Sequence, residues 1–219
     1  MMPPRPDPED VSAESLISGM PGEHAILGLL AVSDTGSGHG YDLARQFSPD
    51  APLGDVLRLE PGMVYHHLKK LERLGWVTVV PGGTPGRPAR RVFALTSSGR
   101  EELERWLAEP VAHTREIRLD FLVKLYLALL LDPTLAVRLV GEQRERCSVL
   151  VDSLTDRLRK AGDAKSGKSP TRFGAMVLDM RLAQTKAALA WLDRVGRDAA
   201  VAVERAKVSA TSDSPGTML

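Results

Sequence analysis

The apolar and polar positions of the first half of the chain alternate between helical and strand periods in a fixed order. The run HAILGLLAV after Glu23 is apolar on every side and predicts a buried helix. SDTGSG follows as a turn, and HGYDLARQF predicts a short second helix with Tyr41, Leu43, Ala44 and Phe47 as its apolar members. A loop holding Pro49, Pro52 and Gly54 leads to a third helix, which Pro61 can open because proline suits the first helical turn. In that helix Val64, Leu68, Leu71 and Leu74 recur at steps of four, three and three, one stripe for burial. The opposite stripe runs Gly62, His66, Lys69, Arg73, flanked by Tyr65 and Lys70, and Gly75 ends the helix. Two β-branched runs, 77–80 and 92–95, predict a hairpin. Thr96, Ser97 and Ser98 then cap a fourth helix with Leu103, Trp106 and Leu107 inward. Helix, helix, helix, strand, strand, helix is the order of a winged helix-turn-helix, closed by Pro110.

Beyond Pro110 only helical periods remain. REIRLDFLVKLYLALL predicts one helix, stopped at Asp132-Pro133. From Thr134 to Lys160, Leu139, Val140, Gln143, Cys147, Leu150, Leu154 and Leu158 form one seam. The segment from Phe173 to Val195 carries two apolar stripes. One holds Phe173, Val177, Met180, Ala187 and Trp191, with Gln184 as a polar member; the other holds Leu178, Leu182, Leu189 and Leu192. A helix apolar on two sides must be buried on two sides, and the second side is expected to meet another subunit. The expected organisation is a disordered segment over 1–20, a winged helix over 21–110, a helical dimerisation and effector domain over 111–208, and a flexible tail over 209–219.

Charge sharpens this picture because it is local. The whole chain of 219 residues has a formal net charge of only +1. Between Pro61 and Arg100, however, Lys69, Lys70, Arg73, Arg87, Arg90, Arg91 and Arg100 face a single acid, Glu72. A positive block on a helix-plus-hairpin unit is the footprint of a nucleic-acid-reading module. Tyr65, His66 and Lys69 are placed to reach base edges in a major groove, while Lys70 and Arg73 suit phosphates. The loop PGGTPGRPAR, with Arg87, Arg90 and Arg91 among glycines, suits a wing lying along the backbone or minor groove.

Other chemistry recedes on inspection. His66 and His67 point about 100° apart on a helix and do not share an ion readily, so no metal and no cofactor are expected. GSGHG at 36–40 lacks the preceding strand and following Lys-Ser/Thr of a phosphate loop and is expected to be a tight turn. No nucleophile, base and orienting group come together, so an enzyme is not expected. Cys147, the only cysteine, lies among leucines as a core thiol. The N-terminus has neither the basic nor the apolar region of a signal peptide, and the longest apolar run, 125–131, is too short to span a membrane, so a cytoplasmic protein is expected. Trp191 with Phe173 and Met180 can pack across a dimer seam and also wall a pocket for a hydrophobic or aromatic small-molecule effector. The rival to DNA binding is a winged helix that binds another protein.

Taken together, HAILGLLA, HGYDLARQF, LEPGMVYHHLKKLERLGWV and RRVFALTSSGREELERWL resemble the PadR family of bacterial transcriptional regulators. Gly40, Tyr41, Tyr65, Leu68, Leu71, Gly75, Leu95, Thr96 and Gly99 stand at the spacing of that family across residues 23–107. REIRLDFLVKLYLAL and the helices after it resemble the C-terminal domain of members similar to virulence activators. The resemblance implies a mainly α fold, a homodimer built by the C-terminal helices, and double-stranded DNA as partner. It implies DNA contacts at Tyr41, Tyr65, His66, Lys69, Lys70 and the 87–91 region. Phe93 departs from the tyrosine usual in the second wing strand, losing a hydroxyl but not the packing.

Overall fold

The computed structural model describes residues 21–80, 91–162 and 172–212. The expected disordered segment 1–20, the wing tip with Arg87 and Arg90, and the tail beyond 212 lie outside them. The protein is mainly helical, with a winged helix-turn-helix followed by a helical C-terminal part.

Helix α1 (Pro21–Val32) is apolar around its circumference and sits at the centre of the N-terminal unit, with Ala25, Ile26, Leu27 and Leu30 fully buried. Strand β1 (Ser37–His39) and helix α2 (Gly40–Arg45) follow, then a 3-10 turn (Pro52–Asp55) and helix α3 (Pro61–Arg73). Strands β2 (Val77–Val80) and β3 (Val92–Leu95) form the expected antiparallel hairpin, in register Val77 with Leu95 and Val80 with Val92. The sheet has a third member. Strand β1 pairs antiparallel with the far edge of β3, Gly38 opposite Phe93, so part of the segment expected as a plain turn is a strand. Helix α4 (Ser97–Ala108) opens on Thr96, whose hydroxyl oxygen accepts from the Gly99 amide at 3.0 Å. That hydroxyl also donates to the Gly75 carbonyl at 2.7 Å, fixing the end of α3 to the start of α4. Gly75 itself has φ +73, a conformation that side-chain-bearing residues rarely adopt, and it turns the chain from α3 into β2.

The α3 stripe differs from expectation at one end. Val64, Leu68 and Leu71 are fully buried, but Leu74 is exposed, because the helix ends at Arg73 and Leu74 is already in the cap. His67 joins the buried stripe in its place. Tyr41, expected among the apolar members of α2, is also exposed, while Leu43, Ala44 and Phe47 are buried.

The expected boundary at Pro110 falls between two apolar clusters, yet one helix belongs to both. A short helical turn (Thr114–Glu116) and a π-helical turn (Ile117–Phe121) run into helix α5 (Leu122–Leu131). Val123 and Leu127 of α5 complete the N-terminal core. Phe121, Leu125 and Ala128 turn to the second cluster, with Leu139, Val140 and Cys147 of helix α6 (Pro133–Gly162) and Leu192 of helix α7 (Arg172–Ser212). Farther along, Leu154 packs with Leu178 and Leu182. At about 1.5 Å per residue α7 is roughly 60 Å long. It continues through 209–212, where the tail was expected to begin.

Buried polar groups fix the joint. The Gln143 amide accepts from the Val111 amide at 2.7 Å and donates to the Val111 carbonyl at 3.2 Å, satisfying both backbone groups of the linker. Thr185, fully buried on α7, meets the Thr114 hydroxyl at 2.8 Å.

Candidate nucleic-acid interface

Helix α3 presents one face to the core and the other outward. Met63, Tyr65, His66, Lys69 and Arg73 are exposed, on the side opposite Val64, Leu68 and Leu71. Its first turn has no acid and its last turn holds Lys70 and Arg73, which suit the negative end of the helix dipole. Arg91, at the foot of β3, is exposed as well.

Lys70 is held differently from its neighbours. Glu23, buried on α1, accepts from Lys70 Nζ at 2.8 Å and from His67 Nδ1 at 3.1 Å. A buried carboxylate needs such partners, and this one takes both from the same helix. The trio bolts α3 to α1. Lys70 therefore points toward α1 and not outward with Lys69 as expected. His66 and His67 also part: His66 is exposed while His67 turns to Glu23. Among the described residues, no group of three His, Cys, Asp or Glu side chains can hold a metal ion.

Helix α2 meets α3 at a close approach. A Cβ on Gly40 would lie 2.6 Å from the Tyr65 ring, so glycine there lets the ring rest on the start of α2. Tyr41 is 64% exposed and Tyr65 43% exposed, two aromatic side chains standing on the same outer surface. Beside Tyr41, Arg45 and Arg58 line the hollow between α2 and the start of α3 and add two exposed cations. Sequence periodicity did not single them out, because Arg45 is one charge on a short helix and Arg58 lies in a loop.

A second polar cluster sits under the wing unit. Trp106 is stacked on His24 with ring centroids 4.4 Å apart, and the Lys124 ammonium stands 4.7 Å from the Trp106 centroid. Lys124 also donates to the Glu109 carbonyl. Burial lowers the Lys124 pKa from 10.5 to about 8, and burial raises that of Asp120 nearby. Burial likewise raises the Cys147 thiol, which suits a core position.

On α7 the two apolar stripes separate as their spacing predicts. Leu178, Leu182 and Leu192 are buried against α6. Phe173 (74% exposed), Val177 and Met180 lie open, joined by Met176; Gln184 and Ala187 are exposed, and Trp191 is half-buried with its ring edge-on to Phe121. Gln184 and Trp191 border a hollow of about 520 Å³ facing the Thr114–Phe121 segment. No helix among the described residues is long and apolar enough to cross a membrane.

Sequence comparison places these elements in a family. The profile of the PadR-like transcriptional regulators matches residues 26–105, and that of the virulence activator alpha C-terminal domain matches 117–197. The chain is 38% identical over 92 residues to Rv1176c of Mycobacterium tuberculosis, named a probable transcriptional regulator; that match covers 42% of this chain and 46% of the relative. It is 27% identical to the negative transcriptional regulator PadR of Bacillus subtilis, covering 79% of this chain and 94% of the relative. Among solved structures, Bacillus subtilis PadR in complex with operator DNA matches at 27% identity, over 81% of this chain and 98% of that one, with a TM-score of 0.36. The two profiles meet the winged helix and the helical C-terminal part in the order observed here. The chain carries a PadR-like transcriptional regulator domain over residues 26–105, followed by a C-terminal domain of the virulence-activator type over residues 117–197.

Proposed function

We propose that this protein binds double-stranded DNA as a homodimer at an inverted-repeat operator, acts as a repressor, and is released by a small-molecule effector. The observation that carries the reading is the outward face of α3. Tyr65, His66, Lys69 and Arg73 offer donors and cations on a helix whose opposite face is buried. That is the layout a recognition helix needs in a major groove. In this reading Tyr65, His66 and Lys69 reach base edges, and Arg73 reaches phosphates. Tyr41, Arg45 and Arg58 flank them on α2 and the loop before α3. Arg91 continues the basic surface toward the wing; Arg87 and Arg90, outside the described residues, join the proposed contacts on the sequence alone. Lys70 acts through Glu23, holding the helix rather than touching DNA.

The open stripe of Phe173, Val177 and Met180 supports the dimer. Monomeric proteins seldom leave such apolar surface in water, and a two-fold axis would cover the stripe with its own copy. The domain division 21–110 and 111–208 is then one of roles, reading head and dimer arm, with α5 as the shared joint.

The test is a gel-shift titration of the full chain against its own upstream DNA at two salt concentrations. A discrete complex that survives excess random DNA and weakens steeply as salt rises is expected, because phosphate contacts release counterions. A salt-independent interaction, or none with any upstream fragment, would sink the reading in favour of a winged helix that binds protein.

A further inference from the structure

A different hollow, of about 520 Å³, lies where the end of α4 meets α5, and a buried amine lines it. The Trp106 ring, Pro110 and Val111 form its apolar wall, while Glu109, His113 and Arg146 stand exposed at its rim. Lys124 reaches it from α5 and is itself 3% exposed. Its ammonium stands 4.7 Å from the Trp106 centroid, and His24 stacks on the same ring. The charges felt there are the acids Glu109, Glu116 and Asp120 and the cation Arg105. Burial brings the Lys124 pKa to about 8. At pH 7 roughly a tenth of such an amine is neutral, against roughly one in three thousand for an ordinary lysine. Asp120 lies one helical turn before Lys124, and burial makes its carboxyl keep a proton more readily than usual. An amine ready to lose its proton, beside an acid ready to hold one, is the pairing that carbonyl condensation requires.

We propose that Lys124 is a modification site that captures small aliphatic aldehydes as an imine within this hollow. The neutral Nζ adds to the carbonyl carbon, and the carbonyl oxygen takes up the proton that nitrogen sheds, giving a carbinolamine. Asp120 then protonates the carbinolamine hydroxyl. The C–O bond breaks, water leaves, and the nitrogen lone pair closes the C=N bond. The product is an iminium and water, with Asp120 left as carboxylate and no redox partner required. The iminium keeps a positive charge beside Trp106 and the three acids. That retention selects the class of electrophile. An acyl donor would leave a neutral amide there, and carbon dioxide would leave an anionic carbamate among carboxylates. The position also gives the adduct leverage. Lys124 donates to the carbonyl of Glu109, which caps α4, and α5 is packed into both apolar clusters. An alkyl chain on Nζ must be housed at this tie between reading head and dimer arm. That consequence rests on the regulator reading above; the capture itself does not.

The experiment incubates the full chain with butanal at pH 7, adds borohydride at timed intervals, and maps alkylated lysines by peptide mass spectrometry. Lys69 and Lys186, both exposed, serve as internal references. Lys124 is expected to be alkylated first, at about ten times their rate, the gain in neutral amine being offset in part by burial. In urea that preference should vanish. Asp120→Asn keeps the shape and removes the transferable proton, so it should slow Lys124 about fivefold and leave the references unchanged. Alkylation of Lys124 no faster than of Lys69 and Lys186 overturns the proposal. So does a preference that survives in urea, which would place its cause in the local sequence and not in the hollow. An Asp120→Asn chain in which Lys124 reacts as fast as in the parent also overturns it. A gel shift of the same preparations keeps the two ideas apart. A specific DNA complex without preferred alkylation removes the site and leaves the function; preferred alkylation without any DNA complex upholds the site and removes its link to regulation.

Discussion

The two ends of this molecule treat apolar surface in opposite ways. In the winged helix the described helices bury most of their aliphatic side chains within the chain, and what stands out on α3 is chiefly cation, imidazole and phenol, with Met63 beside them. On α7 one apolar stripe is buried against α6 and the other, Phe173, Met176, Val177 and Met180, is left open. The first end is complete as a folded object and exposes groups for a polar partner. The second leaves an apolar stripe open, which on the proposed reading a copy of the chain covers. A surface that is polar and local asks for a ligand of opposite charge; one that is apolar and continuous with a core asks for more core.

The change that should break this contrast most forcefully is Met180→Glu. It places a carboxylate on the open stripe, and in the proposed homodimer two-fold symmetry places it there twice. Lost burial at about 1.5–3 kcal/mol per copy, with a charge left in an apolar seam, implies more than about 4 kcal/mol of dimer stability. Sedimentation should report a monomer, with helical content unchanged. If the parent chain is already a monomer at micromolar concentration, the stripe has another purpose.

Between the two ends lies Lys124, and its titration tests the joint. Its pKa is lowered from 10.5 to about 8 in the folded protein. Below pH 8 the amine is charged in both states, and the unfavourable burial of that charge is fully present. From pH 8 to 10.5 the unfolded chain binds the proton and the folded one releases it, so stability rises with pH by up to about 3 kcal/mol. Lys124→Met should remove that rise. The check is the difference in urea midpoint between parent and variant across this window; parallel curves would mean that Lys124 is solvated.

Within the reading head, two neighbouring lysines should behave differently. Lys69→Ala is expected to lower operator affinity and relax sequence preference by roughly 1–3 kcal/mol, with melting temperature unchanged. Lys70→Ala should lower melting temperature first, because it strips a partner from buried Glu23. Gly40→Ala should resemble Lys69→Ala, since the added methyl displaces the Tyr65 ring. Matching thermal and gel-shift profiles for the two lysine variants would erase the distinction drawn between them.

The sequence is most legible where one residue's environment is set by its own helix. The exposed face of α3, the turn at Gly75, the Thr96 cap and both stripes of α7 follow from local periodicity and were expected. Contacts between distant segments were not. Glu23 and Lys70 are 47 residues apart, so the helix pattern, which puts Lys70 at the flank of the outward stripe, does not show that it pairs with Glu23. Strand β1 is Ser-Gly-His, which has no alternation to betray it; it forms because β3 has a free edge. The double allegiance of α5 was hidden because an apolar run such as LVKLYLALLL has no polar face to show which side is which.

The smallest expected effect belongs to Arg91, and it is diagnostic for that reason. Arg91 stands exposed at the foot of β3, beyond the recognition helix and before the wing strand enters the sheet. On the proposed reading a side chain there meets the sugar-phosphate ridge, which carries charge but no sequence. Arg91→Ala should therefore weaken specific and random DNA by the same factor, and lower the slope of log affinity against log salt by about 0.9, one phosphate's worth. Lys69→Ala should instead separate the two DNAs. If Arg91→Ala changed the preferred sequence while leaving the salt slope intact, the wing would be reading bases, and the contrast between a helix that specifies and a wing that positions would have to be reversed.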